Sequence, residues 1–363
     1  PSVTMTYERD NIRRMQGYVW GEQPTDADTC KLNTNENPYP PSPAVQRALA
    51  EFDAETLRTY PRPTADPLRG ALAEHHGLGR DNVIVTNGGD EGLRLAITTF
   101  VEPGTPLGTA PPSYSLYPVL AEIHDAPLAE AELTGAWMPP PDFARRMNAA
   151  GARLTCLPNP HAPSGCLFDA ETILNLAADL DGVLLVDEAY ADFVDPALGY
   201  DAVSLLESTD NLLILRSFSK GYSLAGLRLG YVLGQPGLVE PMVTKTRDSY
   251  NVDEFGQRLG LAAFLDRNHA ETTWAAVCAA RERLAGELAK LGFSMPPSQS
   301  NFLLAQAPQE SALTAPQLYL ALKERGILVR YFNAPRLQDK LRITVGTEDQ
   351  NTRLVAALTA LLR

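Results

Sequence analysis

The chain has 363 residues, 44% hydrophobic and 21% charged, which exceeds what one core usually covers and makes two domains the default. Lysine and arginine total 31 against 44 aspartates and glutamates, a net charge of -13 that argues against a nucleic-acid surface. No apolar run approaches bilayer length, and neither the four cysteines nor the five histidines are spaced for a disulfide framework or a metal, so reduced thiols in a cytoplasm are expected.

Residues 1–30 read as a polar arm with little periodicity, unlike a signal peptide. Residues 31–43 form a proline-rich extended loop before a helix over 44–52. Tyr60-Pro-Arg-Pro is a rigid non-helical stretch, and Pro67 opens a helix over 68–76. From Val83 the pattern becomes strand, loop, helix, repeated, which signals a largely parallel sheet with helices on its faces. Strands are expected at 83–86, 107–110, 154–157, 183–186, 212–215 and 229–233, with a loop over 87–92 and a helix over 93–101. Residues 241–291 are helical by periodicity and carry the crossing between domains. Strands at 301–305, 327–330 and 341–345 and helices at 315–325 and 352–362 then make a compact α+β tail.

The chemistry concentrates between Asn211 and Tyr231. Lys220, beside Gly221 and between two buried strands, sits where its amine can be desolvated, which suits Schiff-base chemistry. Ser217, Ser219 and Arg228 around it could hold a dianionic phosphate, the arginine through its fork; a surface loop of solvated charges is the competing reading. Asn87-Gly88-Gly89-Asp90, between strand and helix, offers backbone N–H groups to an anion, with a plain turn as the alternative. Asp187, in Val-Leu-Leu-Val-Asp-Glu-Ala-Tyr, ends a buried strand, where a carboxylate is costly unless a cation pairs with it. The C-terminal ends of parallel strands are also where open α/β sheets bind ligands.

Ser-x-Ser-Lys, with Arg228 following inside Leu-Ala-Gly-Leu-Arg-Leu-Gly-Tyr, closely resembles the lysine segment of the class I/II aminotransferases. These are fold-type I enzymes that use pyridoxal 5'-phosphate. The resemblance implies an α/β fold, with a mostly parallel seven-stranded sheet in a large domain and a smaller α+β domain. It places an N-terminal arm and part of the small domain at 1–44, the cofactor-binding domain at 45–260 and the rest of the small domain at 261–363. It implies that Lys220 carries the cofactor and that Gly89, Asp90, Ser217, Ser219 and Arg228 surround its phosphate. Tyr114 would stack on the ring, and Asp187 would keep the ring nitrogen protonated. Tyr190 and Asn159 would meet the ring oxygen. Glu188 is the alternative partner of the ring nitrogen, with a surface role preferred. Asn159 is carried over because the usual asparagine of the Asn-Pro-Thr-Gly loop is Ala162 here. Arg342 matches the arginine that clamps the substrate α-carboxylate. Asn33 to Pro38, including Asn35, resembles the loop that closes over the site. Tyr60 would reach the cofactor phosphate of a partner subunit, which implies a homodimer with the site at its interface.

Within the class, Asn-Glu-Asn-Pro-Tyr, Tyr-Pro-Arg-Pro, Gly-Gly-Asp-Glu and Gly-Ile-Leu-Val-Arg-Tyr-Phe look most like the histidinol-phosphate aminotransferase subfamily. There Arg330 would meet the substrate phosphate, assisted by Tyr18; a surface salt bridge is the alternative for Arg330. The implied partners are a small amino donor and a 2-oxo acid. Aromatic aminotransferases and phosphothreonine decarboxylases share most of these residues and remain alternatives.

Overall fold

The structure, a computed structural model, describes residues 6–363. In chain order its strands are β1 (Cys30–Lys31), β2 (Val83–Thr86), β3 (Leu107–Thr109), β4 (Leu128–Glu130), β5 (Leu154–Pro158), β6 (Val183–Asp187), β7 (Leu212–Ser217), β8 (Gly230–Gly234), β9 (Phe302–Gln306), β10 (Ile327–Leu328), β11 (Arg330–Tyr331) and β12 (Lys340–Thr344). The central sheet has seven strands in the order β2-β8-β7-β6-β5-β3-β4. Only β8 runs against the others, pairing antiparallel with both β2 and β7. The central strands read as continuous apolar runs because both faces are covered. Period-two alternation divides them: Ile84, Leu213, Leu215 and Val232 face one core, while Val83, Val85, Leu212 and Ile214 face the other.

The seventh strand, β4, is absent from the apolar pattern. It is a three-residue edge strand, Leu-Ala-Glu, with only Ala129 buried. The helix expected from residue 93 begins at Gly88 and runs to Phe100, so the 87–92 segment is helical from its second residue. Glycine is a weak helix former, but a Cβ at Gly92 would lie 3.0 Å from Val232 and 3.1 Å from Leu215. Close packing on the sheet therefore overrides propensity there.

The 241–291 stretch is not one helix. A helix over Pro236–Pro241 and a π-turn over Met242–Thr246 end before helices at Glu254–Leu265 and Arg267–Lys290. Asp253 starts the first of these two by accepting the Gly256 N–H at 2.6 Å, a cap that periodicity does not register. The strand expected over 327–330 is split at Val329, because β10 pairs parallel with β1 while β11 joins the antiparallel sheet β11-β12-β9. Through β1 the N-terminal segment becomes part of the C-terminal structure. Further upstream, the arm holds a short helix, Asp10–Arg14, from which Asn11 donates to the Glu122 carbonyl, while Arg9 just before it donates to the Ile123 carbonyl. No helix among the described residues is long and apolar enough to cross a membrane.

Candidate active site

Five parallel strands, β3 to β7, end side by side, and their last residues, Thr109, Glu130, Pro158, Asp187 and Ser217, all line one cavity of about 700 Å³. The N-terminal loop, the first turn of the Gly88–Phe100 helix and the sheet β11-β12-β9 close its other sides. The sheet alone thus brings distant sequence segments to one place.

Lys220 follows β7 and is half-buried in the cavity wall. Its Nζ donates to the Thr34 carbonyl at 2.9 Å. Burial lowers its pKa to about 8; Glu36 opposes the shift, while Arg342, Arg228 and Lys31 add to it. The residues expected to cradle an anion lie together beside it. Arg228, in the left-handed region at φ 57°, donates to Ser219 Oγ at 3.3 Å and lies 3.6 Å from the Asp90 carboxylate. Ser217 Oγ accepts the Ser219 N–H at 3.0 Å. Gly88 has φ 79°, and a Cβ there would meet the Arg228 guanidinium at 2.8 Å, so the arginine lies across the helix start. Gly89 and Asp90 are in that first turn, where N–H groups have no intrahelical acceptor.

Asp187 is 5% exposed, and burial raises its pKa to about 6. Tyr117 donates to it at 2.9 Å and the Ala189 N–H at 3.2 Å, and neither is a cation. A buried carboxylate aimed into a cavity without a counter-charge is what a protonated ring nitrogen would complete. Together with the anion cradle, it fits pyridoxal 5'-phosphate. Glu188 takes a different place from that expected: it is 1% exposed rather than at the surface, and it forms a 2.9 Å ion pair with Arg216. Strand alternation sends it away from the cavity that Asp187 enters.

Tyr190 accepts from Asn35 Nδ2 at 3.0 Å, and its ring stands edge-on to Phe302. Asn35, at φ 56°, is buried and also tied to Thr344. Tyr114 packs edge-to-face against Tyr117 and Tyr18 at the cavity wall. Arg342 and Arg330 are directly opposed in the β11–β12 register, and both line the cavity. Arg342 donates to the Asn33 carbonyl at 2.9 Å, and its Nε has no partner among the described residues. Among the described residues Arg330 makes no salt bridge; its fork holds the carbonyls of Val19 and Trp20 at 3.0 and 3.2 Å.

One expected residue lies outside the cavity, and Tyr60, expected to serve a partner subunit, lies outside its own chain's. Asn159 is fully buried behind the cavity, where its amide donates to the Phe168 carbonyl and Tyr200 hydroxyl and accepts the Phe168 N–H. Both amide hydrogens are used and the oxygen faces the Phe168 N–H, while Ala162 and Pro163 line the cavity instead. Tyr60 is 78% exposed and stacks on Tyr250 at 4.3 Å, outside its own chain's cavity. The residues that sequence reasoning missed are Tyr117, which reads as a core aromatic, and Thr34 and Glu36, whose relation to Lys220 is entirely long-range.

A family model described as aminotransferase class I and II matches residues 27–358. The chain is 42% identical over 357 residues to histidinol-phosphate aminotransferase 1 of Nostoc, covering 98% of each. It is 41% identical to the histidinol-phosphate aminotransferase of Synechocystis, covering 97% of each. The crystal structure of histidinol-phosphate aminotransferase from Sinorhizobium meliloti in complex with pyridoxal-5'-phosphate superimposes with a TM-score of 0.90 at 25% identity, covering 99% of each chain.

Proposed function

The chain belongs to the class I and II aminotransferases, and from that membership we propose that it transfers the amino group of histidinol phosphate to 2-oxoglutarate, with pyridoxal 5'-phosphate as resident cofactor. The observation that carries this donor is the opposed pair Arg330 and Arg342 in the cavity that holds Lys220. Histidinol phosphate has a phosphate and no carboxylate next to its amine, whereas the oxo acid has carboxylates and no phosphate. Two adjacent guanidinium forks make one anion subsite able to take the dianion in one half-reaction and a carboxylate in the other. The names of the Nostoc and Synechocystis relatives support the same donor.

When bound, pyridoxal 5'-phosphate supplies an aldehyde that takes up the amino group and a ring that accepts the electron pair left on the donor carbon. Ser217, Ser219, Arg228 and the N–H groups of Gly89 and Asp90 would hold its phosphate, and Tyr114 would cover the ring. Asp187 would hold the proton of the ring nitrogen. Tyr190, itself held by Asn35, would donate to the ring oxygen. Lys220, neutral when unattached, would take the proton from the donor carbon at Nζ and deliver it to the cofactor carbon that carries the aldehyde.

The proposal includes a homodimer in which Tyr60 reaches the cofactor phosphate of a second copy; the exposed Tyr60–Tyr250 stack supports it. It also includes the domain division at residues 44 and 260, supported by the β1–β10 pairing, and a cytoplasmic setting, supported by four free cysteines. Single-turnover absorbance with histidinol phosphate, phenylalanine and phosphothreonine tests the donor. Rapid amino transfer from histidinol phosphate, reversed by 2-oxoglutarate, is the expected result. Equal or faster transfer from phenylalanine, or carbon dioxide released from phosphothreonine, would replace this reading with an aromatic aminotransferase or a decarboxylase.

A further inference from the structure

We propose that Thr34 is the seat of the Lys220 amine whenever that amine is not bonded to the cofactor, and that Lys31 and Glu36 are positioning residues that set the charge at this seat. The proposal rests on the transamination reading, in which the lysine leaves and returns in every half-reaction. Lys220 Nζ donates to the Thr34 carbonyl at 2.9 Å. The hydroxyl of the same threonine donates to Glu36 Oε2 at 2.5 Å, and Lys31 Nζ donates to both that hydroxyl and Glu36 Oε1. One residue therefore links the lysine to an ion pair on its own loop.

The seat is stiff. The carbonyls on either side of it also accept hydrogen bonds, Asn33 from Arg342 at 2.9 Å and Asn35 from Asn301 at 2.8 Å. Just before them, the Leu32 carbonyl accepts the Thr344 N–H at 3.0 Å. A segment fixed at successive peptides keeps the amine in the cavity rather than letting it swing to solvent.

Charge at the seat comes from several directions. Glu36 and Lys31 face it from the N-terminal loop, Arg342 from β12 and Arg228 from the turn before β8. Asp90, Asp187 and Tyr190 line the same cavity. Glu36 favours the protonated amine and Lys31 the neutral one. Removing these two charges one at a time must therefore move the protonation of Lys220 in opposite directions. A loop that needed only bracing would respond to both losses in the same direction.

The test follows capture of pyridoxal 5'-phosphate by the full-length protein, stripped of cofactor, as a function of pH. Only the neutral amine attacks the aldehyde, so the capture rate titrates with Lys220. The expected result is a midpoint lowered by roughly one pH unit in Glu36→Gln and raised by less in Lys31→Met, since Lys31 is the weakest of the charges acting on the amine. The double variant is expected between the two single variants, and Glu36→Asp, which keeps the carboxylate, near the unsubstituted protein. Midpoints that move together, or that do not move while the unsubstituted protein titrates, overturn the seat and leave the transamination reading standing. Failure of the unsubstituted protein to capture the aldehyde, or equal capture by Lys220→Ala, removes the transamination reading and the seat with it.

Discussion

Replacing Asp187 with asparagine separates the cost of this carboxylate to the fold from its service to the cofactor. Burial raises its pKa from 3.8 to about 6 in the cofactor-free chain, against the hydrogen bonds from Tyr117 and Ala189. Because the folded pKa lies above the unfolded one, the folded chain binds more protons between pH 3.8 and about 6, and stability falls as pH rises through that window. A shift of roughly two units corresponds to about 3 kcal/mol, present as a penalty at neutral pH. Asparagine removes the penalty and can still accept one of the two hydrogen bonds. With an unfolding entropy of about 2.1 cal/mol/K per residue, the gain is a melting temperature about 4 °C higher for the cofactor-free variant at neutral pH, vanishing in acid. In the loaded enzyme the sign reverses, because the same charge then pairs with the ring-nitrogen proton. Forfeiting about 3 kcal/mol lowers kcat/KM roughly a hundredfold. Calorimetry of the cofactor-free protein and single-turnover absorbance of the loaded one read the two effects. A lower melting temperature in the cofactor-free variant, or undiminished turnover, would refute the reasoning.

Lys220→Ala is expected to abolish turnover together with the absorbance change that accompanies cofactor attachment; normal turnover would remove Lys220 from the chemistry. Arg330→Ala should raise KM for histidinol phosphate roughly 10- to 100-fold, the worth of a charge-assisted hydrogen bond, and weaken phenylalanine less, since Arg342 still meets its single carboxylate. An equal loss with both donors would take Arg330 out of the phosphate subsite. Asn159→Ala should destabilise the fold by about 1–3 kcal/mol, since it strands the Phe168 N–H and the Tyr200 hydroxyl, while the absorbance of the loaded enzyme stays the same. A stable variant with shifted absorbance would return Asn159 to the cofactor.

What the sequence made legible follows from the range of the forces involved. β6 and β7 could be read because burial on both faces demands unbroken apolar runs, and Asp187 and Lys220 because their positions at the ends of those runs are chemically costly. β4 could not be read, since three residues with one buried alanine carry no period. The helix start at Gly88 was hidden because the packing of Gly92 on Leu215 and Val232 is a tertiary matter. The breaks in the 241–291 stretch depend on single caps rather than on pattern. Asn159 was the one asparagine at hand in a proline-rich loop, and spacing alone does not say which way such a loop turns its side chains. Glu188 was misplaced for the opposite reason: its partner, Arg216, lies in another strand and is invisible until the sheet is assembled.

The two cations that meet the N-terminal loop are not equivalent, and the difference orders events in the cavity. Arg342 gives one Nη2 hydrogen to the Asn33 carbonyl and leaves Nε without a partner among the described residues. It can therefore clamp an anion through Nε and its remaining hydrogens while still bound to the loop, so its orientation is fixed before substrate arrives and little ordering cost is left to binding. Lys220 has a single nitrogen, and on the proposed function attachment to the cofactor would take that nitrogen away from the Thr34 carbonyl. A buried carbonyl that loses its donor costs about 1–3 kcal/mol unless the segment adjusts. Loading and unloading of the lysine, rather than arrival of the anion, are thus the steps that change the contacts of the N-terminal loop.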